Sequence, residues 1–163
     1  MKFPKTKKET RKQQKIRLDE LHSRYIRLRD GLKCRICGKQ FEMYENNKGH
    51  MVIPQDYQCM HIIGRQHLHT RFDPLNTFGG CVGCHLKFDD HWTKGTEGIR
   101  SFRAFALEKV GVGQDLLGIL NSRAKLTGKV DFDLIEMWLV KELRKFNDVK
   151  LMKPIKSKFE HVM

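Results

Sequence analysis

The chain has 163 residues, 39% of them hydrophobic and 31% charged, with 32 Lys and Arg against 19 Asp and Glu and so a formal net charge of +13. That length suits one small domain, or a compact core with helical attachments, and no apolar run approaches the roughly 18 residues of a membrane span. The basic N-terminus lacks the apolar centre of a secretory signal, so the expected compartment is the cytoplasm, and the positive surplus calls for a polyanion, with nucleic acid ahead of an anionic membrane surface.

In chain order, residues 1–17 form a basic arm in which Lys7, Lys8, Arg11 and Lys12 are candidate nucleic-acid contacts; it carries a single acidic residue, Glu9. Such a segment has little apolar surface to offset the entropy of ordering and can condense along phosphates. From about Glu9 to Asp30 the pattern becomes helical: Leu18, Leu21, Tyr25 and Leu28 recur at spacings of three and four, with Ile26 beside them, and Gly31 closes the helix. The adjoining zinc knuckle is the nearest partner for that stripe. Leu32 to Gln40 carries Cys34 and Cys37 with Gly38 just behind, a form that bends around one metal ion. Phe41 to Gln58 reads as a loop or loose hairpin, with His50 on its surface.

Cys59 to Trp92 holds three of the five cysteines and five of the eight histidines. Beyond it, Ile99, Phe102, Phe105, Ala106 and Val110 predict one helix, Leu116, Leu117 and Leu120 a second leading to Gly128, and Asp131 or Asp133 caps a third. In that last helix Ile135, Trp138, Leu139, Glu142, Leu143 and Phe146 keep the period. The expected division is a basic arm (1–17), a metal-stapled core with its leading helix (18–95), a helical region (96–147) and a basic tail (148–163).

Cys34, Cys37, Cys81 and Cys84 form two CxxC pairs, and two such knuckles face to face supply the four thiolates of a tetrahedral structural Zn²⁺. Cys59 is left over and reads as a small buried hydrophobe. Between the knuckles, His61 ends a short β-type run and is a candidate general base, with a peptide carbonyl on its other nitrogen to set the tautomer. Asn76, which can donate and accept at once, would tie the loop before Cys81 to the strand of His61. His85, directly after Cys84, shares a helical face with Asp89 and could bind a divalent ion, with His69 completing the set. His67, Asp73, Asp90 and His91 are reserves, and Arg65 and Arg71 are candidate phosphate clamps.

The order CRIC, MHIIGR, DPLN, CVGCH resembles the His–Me finger, or HNH, nuclease superfamily in its zinc-stapled form. More narrowly, MHIIGR, LHTRF, LNTFGGCVGCH and FALEKVG to AKLTGK resemble the phage lambda NinG (Rap) family of recombination nucleases. The resemblance implies an α+β fold: a small ββα-metal core stapled by a four-cysteine zinc and flanked by an N-terminal helix and C-terminal helices. His61 would lie on the first strand, Asn76 in the loop and His85 at the start of the helix. It implies DNA cleavage dependent on Mg²⁺ or Mn²⁺, with Zn²⁺ as a further catalytic candidate, and branched or junction DNA as candidate substrates. It also implies the host cytoplasm for a phage-encoded chain. Two symmetric cuts would favour a homodimer. Met60 departs from the pattern, because many HNH proteins carry an acidic or histidine ligand there; either His69, first, or Asp89 is the replacement, or the site is not an active metal centre. A non-catalytic zinc-dependent DNA-binding protein and an RNA-directed protein are the alternatives.

Overall fold

The structure, a computed structural model, describes residues 9–89 and 97–146, with backbone alone for 97–101. Lys7, Lys8, Asp90, His91 and the basic tail lie outside them.

Helix α1 (Arg11–Arg29) opens with a capping box. The Thr10 hydroxyl accepts from the Gln13 amide at 3.2 Å, and the Gln13 side chain accepts from the Thr10 amide at 2.9 Å. This cap starts the helix close to Glu9, where the helical pattern begins, so residues 11–17 of the basic arm are helical. Leu18, Leu21, Tyr25, Ile26 and Leu28 are all buried along it. Gly31, at φ +64°, turns the chain into the first knuckle, where Lys33 bridges Gln40 and the Cys34 amide donates to Lys39 O at 2.9 Å. A minimal hairpin follows, β1 (Tyr44–Glu45) with β2 (Met51–Val52).

The centre of the molecule is an antiparallel hairpin, β3 (Tyr57–His61) with β4 (Thr77–Cys81), in which His61 pairs with Thr77 and Met60 with Phe78. Its two strands are joined by the short helix α2 (Leu68–Arg71) and a 3-10 turn at Pro74–Asn76, and β4 runs straight into α3 (Val82–Asp89). Alternation along the strands gives the hairpin two faces. His61 and Thr77 look toward α1, where His22 meets both; Gln58 and Phe78 look toward α3, where they meet His85 and Phe88. Gly79 and Gly80 are needed for this closeness. A Cβ on Gly79 would stand 1.9 Å from the Tyr57 hydroxyl, and one on Gly80 2.1 Å from the Met60 sulfur.

Three helices complete the fold: α4 (Glu97–Lys109), α5 (Gln114–Ala124) and α6 (Phe132–Leu143), the last capped by Asp131. The partner of α1 is not the knuckle alone, since α6 and the β3–β4 hairpin take most of its stripe. Tyr25 packs edge-on against Trp138 at 5.1 Å, and the Arg11 guanidinium lies 4.2 Å over the Phe132 ring. Arg17 grips Glu136 with both carboxylate oxygens, at 3.1 and 2.5 Å, and also pairs with Glu9. Glu136 is fully buried, so the pair's stabilising value depends on keeping both partners. Arg103 of α4 fastens onto the core, donating to Ile62 O at 2.7 Å while its guanidinium lies 4.1 Å over Phe88. The whole is an α+β fold with an N-terminal helix, a small antiparallel core beside a four-cysteine cluster, and C-terminal helices. No helix among the described residues is long and apolar enough to cross a membrane.

Candidate metal centre and the histidine pocket beside it

Cys34, Cys37, Cys81 and Cys84 converge with their sulfurs within 4.8 Å of one another. The Cys37 and Cys81 sulfurs are 3.7 Å apart; four sulfurs tetrahedrally placed about 2.3 Å from one zinc ion stand about 3.8 Å apart. Main-chain hydrogen bonds build the cluster. The Arg35 amide donates to Gly79 O at 2.9 Å, docking the first knuckle on β4, and the Cys84 amide donates to the Cys81 sulfur at 3.4 Å. Burial raises the Cys84 and Cys37 thiols, and the neighbouring sulfurs add to this at Cys84. At Cys34 burial also raises, but backbone hydrogen bonds outweigh it and hold the thiol at about 7. Crowded thiolates of this kind are what a divalent cation neutralises, so the donor set fits a structural Zn²⁺. Cys59 takes no part in the cluster: it is buried in the core, and burial pushes its thiol up to about 12.

On the α1 face, His61 ends β3. Its Nε2 is 3.0 Å from Arg71 O, and because a carbonyl only accepts, Nε2 carries the hydrogen. Nδ1 is therefore the bare nitrogen, and Arg65 Nε approaches it at 3.4 Å from an exposed position. Burial, then the charge of Arg65, lower this imidazole to about 4, so it is neutral at ordinary pH. Asn76, fully buried, fixes the loop behind it: its Oδ1 accepts from the Ile63 amide at 2.7 Å, and its Nδ2 donates to Ile63 O and Thr70 O, both at 2.9 Å. Arg71, read from sequence as a phosphate clamp, is instead held by Asp19 at 2.8 and 2.7 Å and by Arg65 O at 2.6 Å. Arg65 stays exposed. Arg11 is engaged by Phe132 and Val130 O, while Lys12 is exposed.

Comparison with known proteins adds no relative. No family model, no curated protein and no solved structure matches the chain.

His22 is a residue of this pocket that sequence reasoning missed. It is 2% exposed, with its ring centre 6.2 Å from that of His61 and edge-on to Phe72 at 6.0 Å. The Thr77 hydroxyl donates to Asp73 O at 3.2 Å, so it can only accept from His22 Nε2, 3.0 Å away. His22 is thereby the Nε2–H tautomer. Its Nδ1 is buried without a partner among the described residues, a position that costs about 1–3 kcal/mol. Burial first, then His61, lower its pKa to about 3. The signal was present in the sequence, because position 22 falls on the same spacing as Leu18, Leu21 and Tyr25.

On the α3 face, His85 Nδ1 is 2.5 Å from Gln58 Oε1, and its Nε2 is 2.9 Å from Asp89 Oδ2. Gln58 is a second residue the sequence did not point out. His69, on α2, buries an Nε2 without a partner among the described residues. It does not join His85 and Asp89 in a converging group; among the described residues the four cysteines are the group of three or more potential ligands that converges. His67 is turned to Ala124 O at 3.2 Å, and Asp73 caps the 3-10 turn and pairs with Arg123. Met60 has left any ligand role for the core: it is fully buried, with its sulfur over Gly80.

Proposed function

We propose that the chain is a metal-dependent DNA endonuclease with His61 as general base. The observation that carries this reading is the state of His61: a neutral ring, locked as the Nε2–H tautomer by a peptide carbonyl, with its unprotonated Nδ1 accepting from the exposed Arg65. A general base needs that combination of bare nitrogen, fixed orientation and low enough basicity to be unprotonated at working pH. When Arg65 moves onto a phosphate oxygen, Nδ1 is released to take the proton of an attacking water. Asn76 holds the loop that supplies the orienting carbonyl, so its contribution is to geometry.

His85 and Asp89 would hold the divalent ion, which would polarise the scissile phosphate and stabilise the charge building on its oxygens. Their donor atoms, 2.9 Å apart, have the separation of neighbouring ligands; two donors about 2.1 Å from one ion at right angles stand about 3.0 Å apart. Gln58, accepting from Nδ1–H, would leave Nε2 as the ligand nitrogen. An oxygen and imidazole donor pair suits Mg²⁺, Mn²⁺ or Zn²⁺. The net charge of +13 supports a nucleic-acid partner. Branched recombination intermediates are the proposed substrates, and a homodimer would provide paired cuts.

A second reading, a non-catalytic zinc-dependent DNA-binding protein, is favoured by one observation. His61 and His85 stand on opposite faces of the hairpin, and Gln58, which meets His85, is three residues or about 10 Å along the strand from His61. The two readings separate on a plasmid-nicking assay with Mg²⁺, Mn²⁺, Ni²⁺ or Zn²⁺. His61→Ala should lower nicking by about 10²–10⁴-fold while zinc content and DNA affinity persist. Wild-type protein that binds DNA and cuts with none of the four ions would establish the second reading.

A further inference from the structure

The His22 ring has no duty in the zinc cluster and none yet in the reaction. Resting on the reading of His61 as general base, we propose that His22 is a positioning residue for that base: its free Nδ1 lone pair stabilises the positive charge His61 acquires on taking the proton from water. Three observations support the assignment. The two rings are neighbours, 6.2 Å between centres and tilted by 41°. Thr77 dictates the His22 tautomer, since its hydroxyl proton is already given to Asp73 O, which leaves the lone pair on Nδ1. That Nδ1 has no hydrogen-bond partner among the described residues, in a ring 2% exposed.

An acceptor left uncapped in the resting protein gains a use only when a positive charge develops nearby. A dipole already oriented in a water-poor pocket then needs no rearrangement during the step. The proton passes from water to His61 Nδ1, the hydroxide oxygen attacks phosphorus, and no bond to His22 forms or breaks. His22 also stands edge-on to Phe72, just after α2, which stands edge-on to Phe132 of α6, so the ring is packed from the α2 side.

Two isosteres separate the ring's nitrogens. His22→Gln keeps a donor for Thr77 and removes the acceptor at the δ position; His22→Asn keeps a δ acceptor and removes the Thr77 contact. With the zinc-loaded full-length chain cutting a labelled DNA duplex in Mn²⁺, His22→Gln should lower kcat about tenfold with KM unchanged, and His22→Asn should stay within about twofold of wild type. Equal kcat in both variants, or an effect on KM in place of kcat, overturns the proposal. A wild type that cleaves, a His61→Ala that does not and a fully active His22→Gln would overturn it alone; a wild type inactive with all four ions overturns the nuclease reading and this inference with it. Long-range ¹H–¹⁵N spectra of the unmutated protein test it without any substitution. They should show His22 as the neutral Nε2–H form, and an Nδ1–H form overturns the proposal.

Discussion

The two faces of the central hairpin hold their histidines in different ways. On the α1 face, main-chain groups fix the pocket: His61 is set by Arg71 O, and Asn76 binds one amide and two carbonyls of the connecting loop. On the α3 face, His85 is held by two side chains, Gln58 and Asp89, and Asp89 is exposed. A carbonyl at the end of α2, held next to the buried Asn76 contacts, keeps its geometry whatever binds, whereas side chains at the surface can change partners. The first suits a group that must hold one tautomer, and the second suits a group that exchanges a ligand.

The largest way to break the comparison is to remove what both faces share. Stripping zinc with a chelator, or Cys84→Ser, should unfold the knuckles and with them β4 and the start of α3, since binding at such a site contributes about 10 kcal/mol or more. Zinc analysis alongside a circular-dichroism melt checks this, and retention of the native melt after complete zinc removal would contradict it. Next comes Asn76→Ala, which strands one amide and two carbonyls and should cost about 3 kcal/mol, read from urea unfolding of the zinc-loaded protein. Gln58→Leu should leave stability nearly unchanged and weaken Mn²⁺ binding about tenfold, measured by calorimetry. An equal loss of stability in these two variants would erase the distinction between the faces.

A pH titration sharpens it further. His22 and His61 have folded-state pKa values of about 3 and about 4, below the ordinary histidine value of 6.5. Below pH 6.5 the unfolded chain takes up protons that the folded chain refuses, so stability is fully present above that pH and falls as pH drops toward the folded values. The limiting slope is about 1.4 kcal/mol per pH unit for each ring. Replacing His22 by Asn should remove about half of that slope between pH 6 and pH 5, seen in denaturant unfolding. The smallest effect belongs to the basic N-terminal residues. On the proposed nuclease reading, changing Lys2, Lys5, Lys7 and Lys8 to Gln should leave nicking at saturating DNA alone and reduce the salt slope of DNA affinity by at most about 3.6, or 0.9 per lost phosphate contact.

How much of this was legible follows from the range of each interaction. The CxxC pairs, the α1 stripe and the caps depend on neighbours within a turn or two, and the sequence displays them. Asn76 was legible because an asparagine between two knuckles has few uses other than to satisfy a loop. His22 and Glu136 were not, although both sit at buried positions of helical stripes. A polar group at such a position is understandable only with its partner, and those partners are Thr77 and Arg17, 55 and 119 residues away. The Asp19 partner of Arg71 was hidden for the same reason, lying 52 residues away. The opposite-face placement of His61 and His85 follows from strand alternation, and became visible once the register of β3 with β4 was known.

The clamp between Arg17 and Glu136 has a temporal consequence. α1 is the first described helix to be synthesised, yet α6, which receives Arg11, Arg17 and Tyr25, is the last. At ribosomal rates of about 5–20 residues per second, several seconds separate the two. During that interval Tyr25 and the side of α1 that meets α6 lack their last cover, and a chain cut short before Phe132 would retain that bare surface for good.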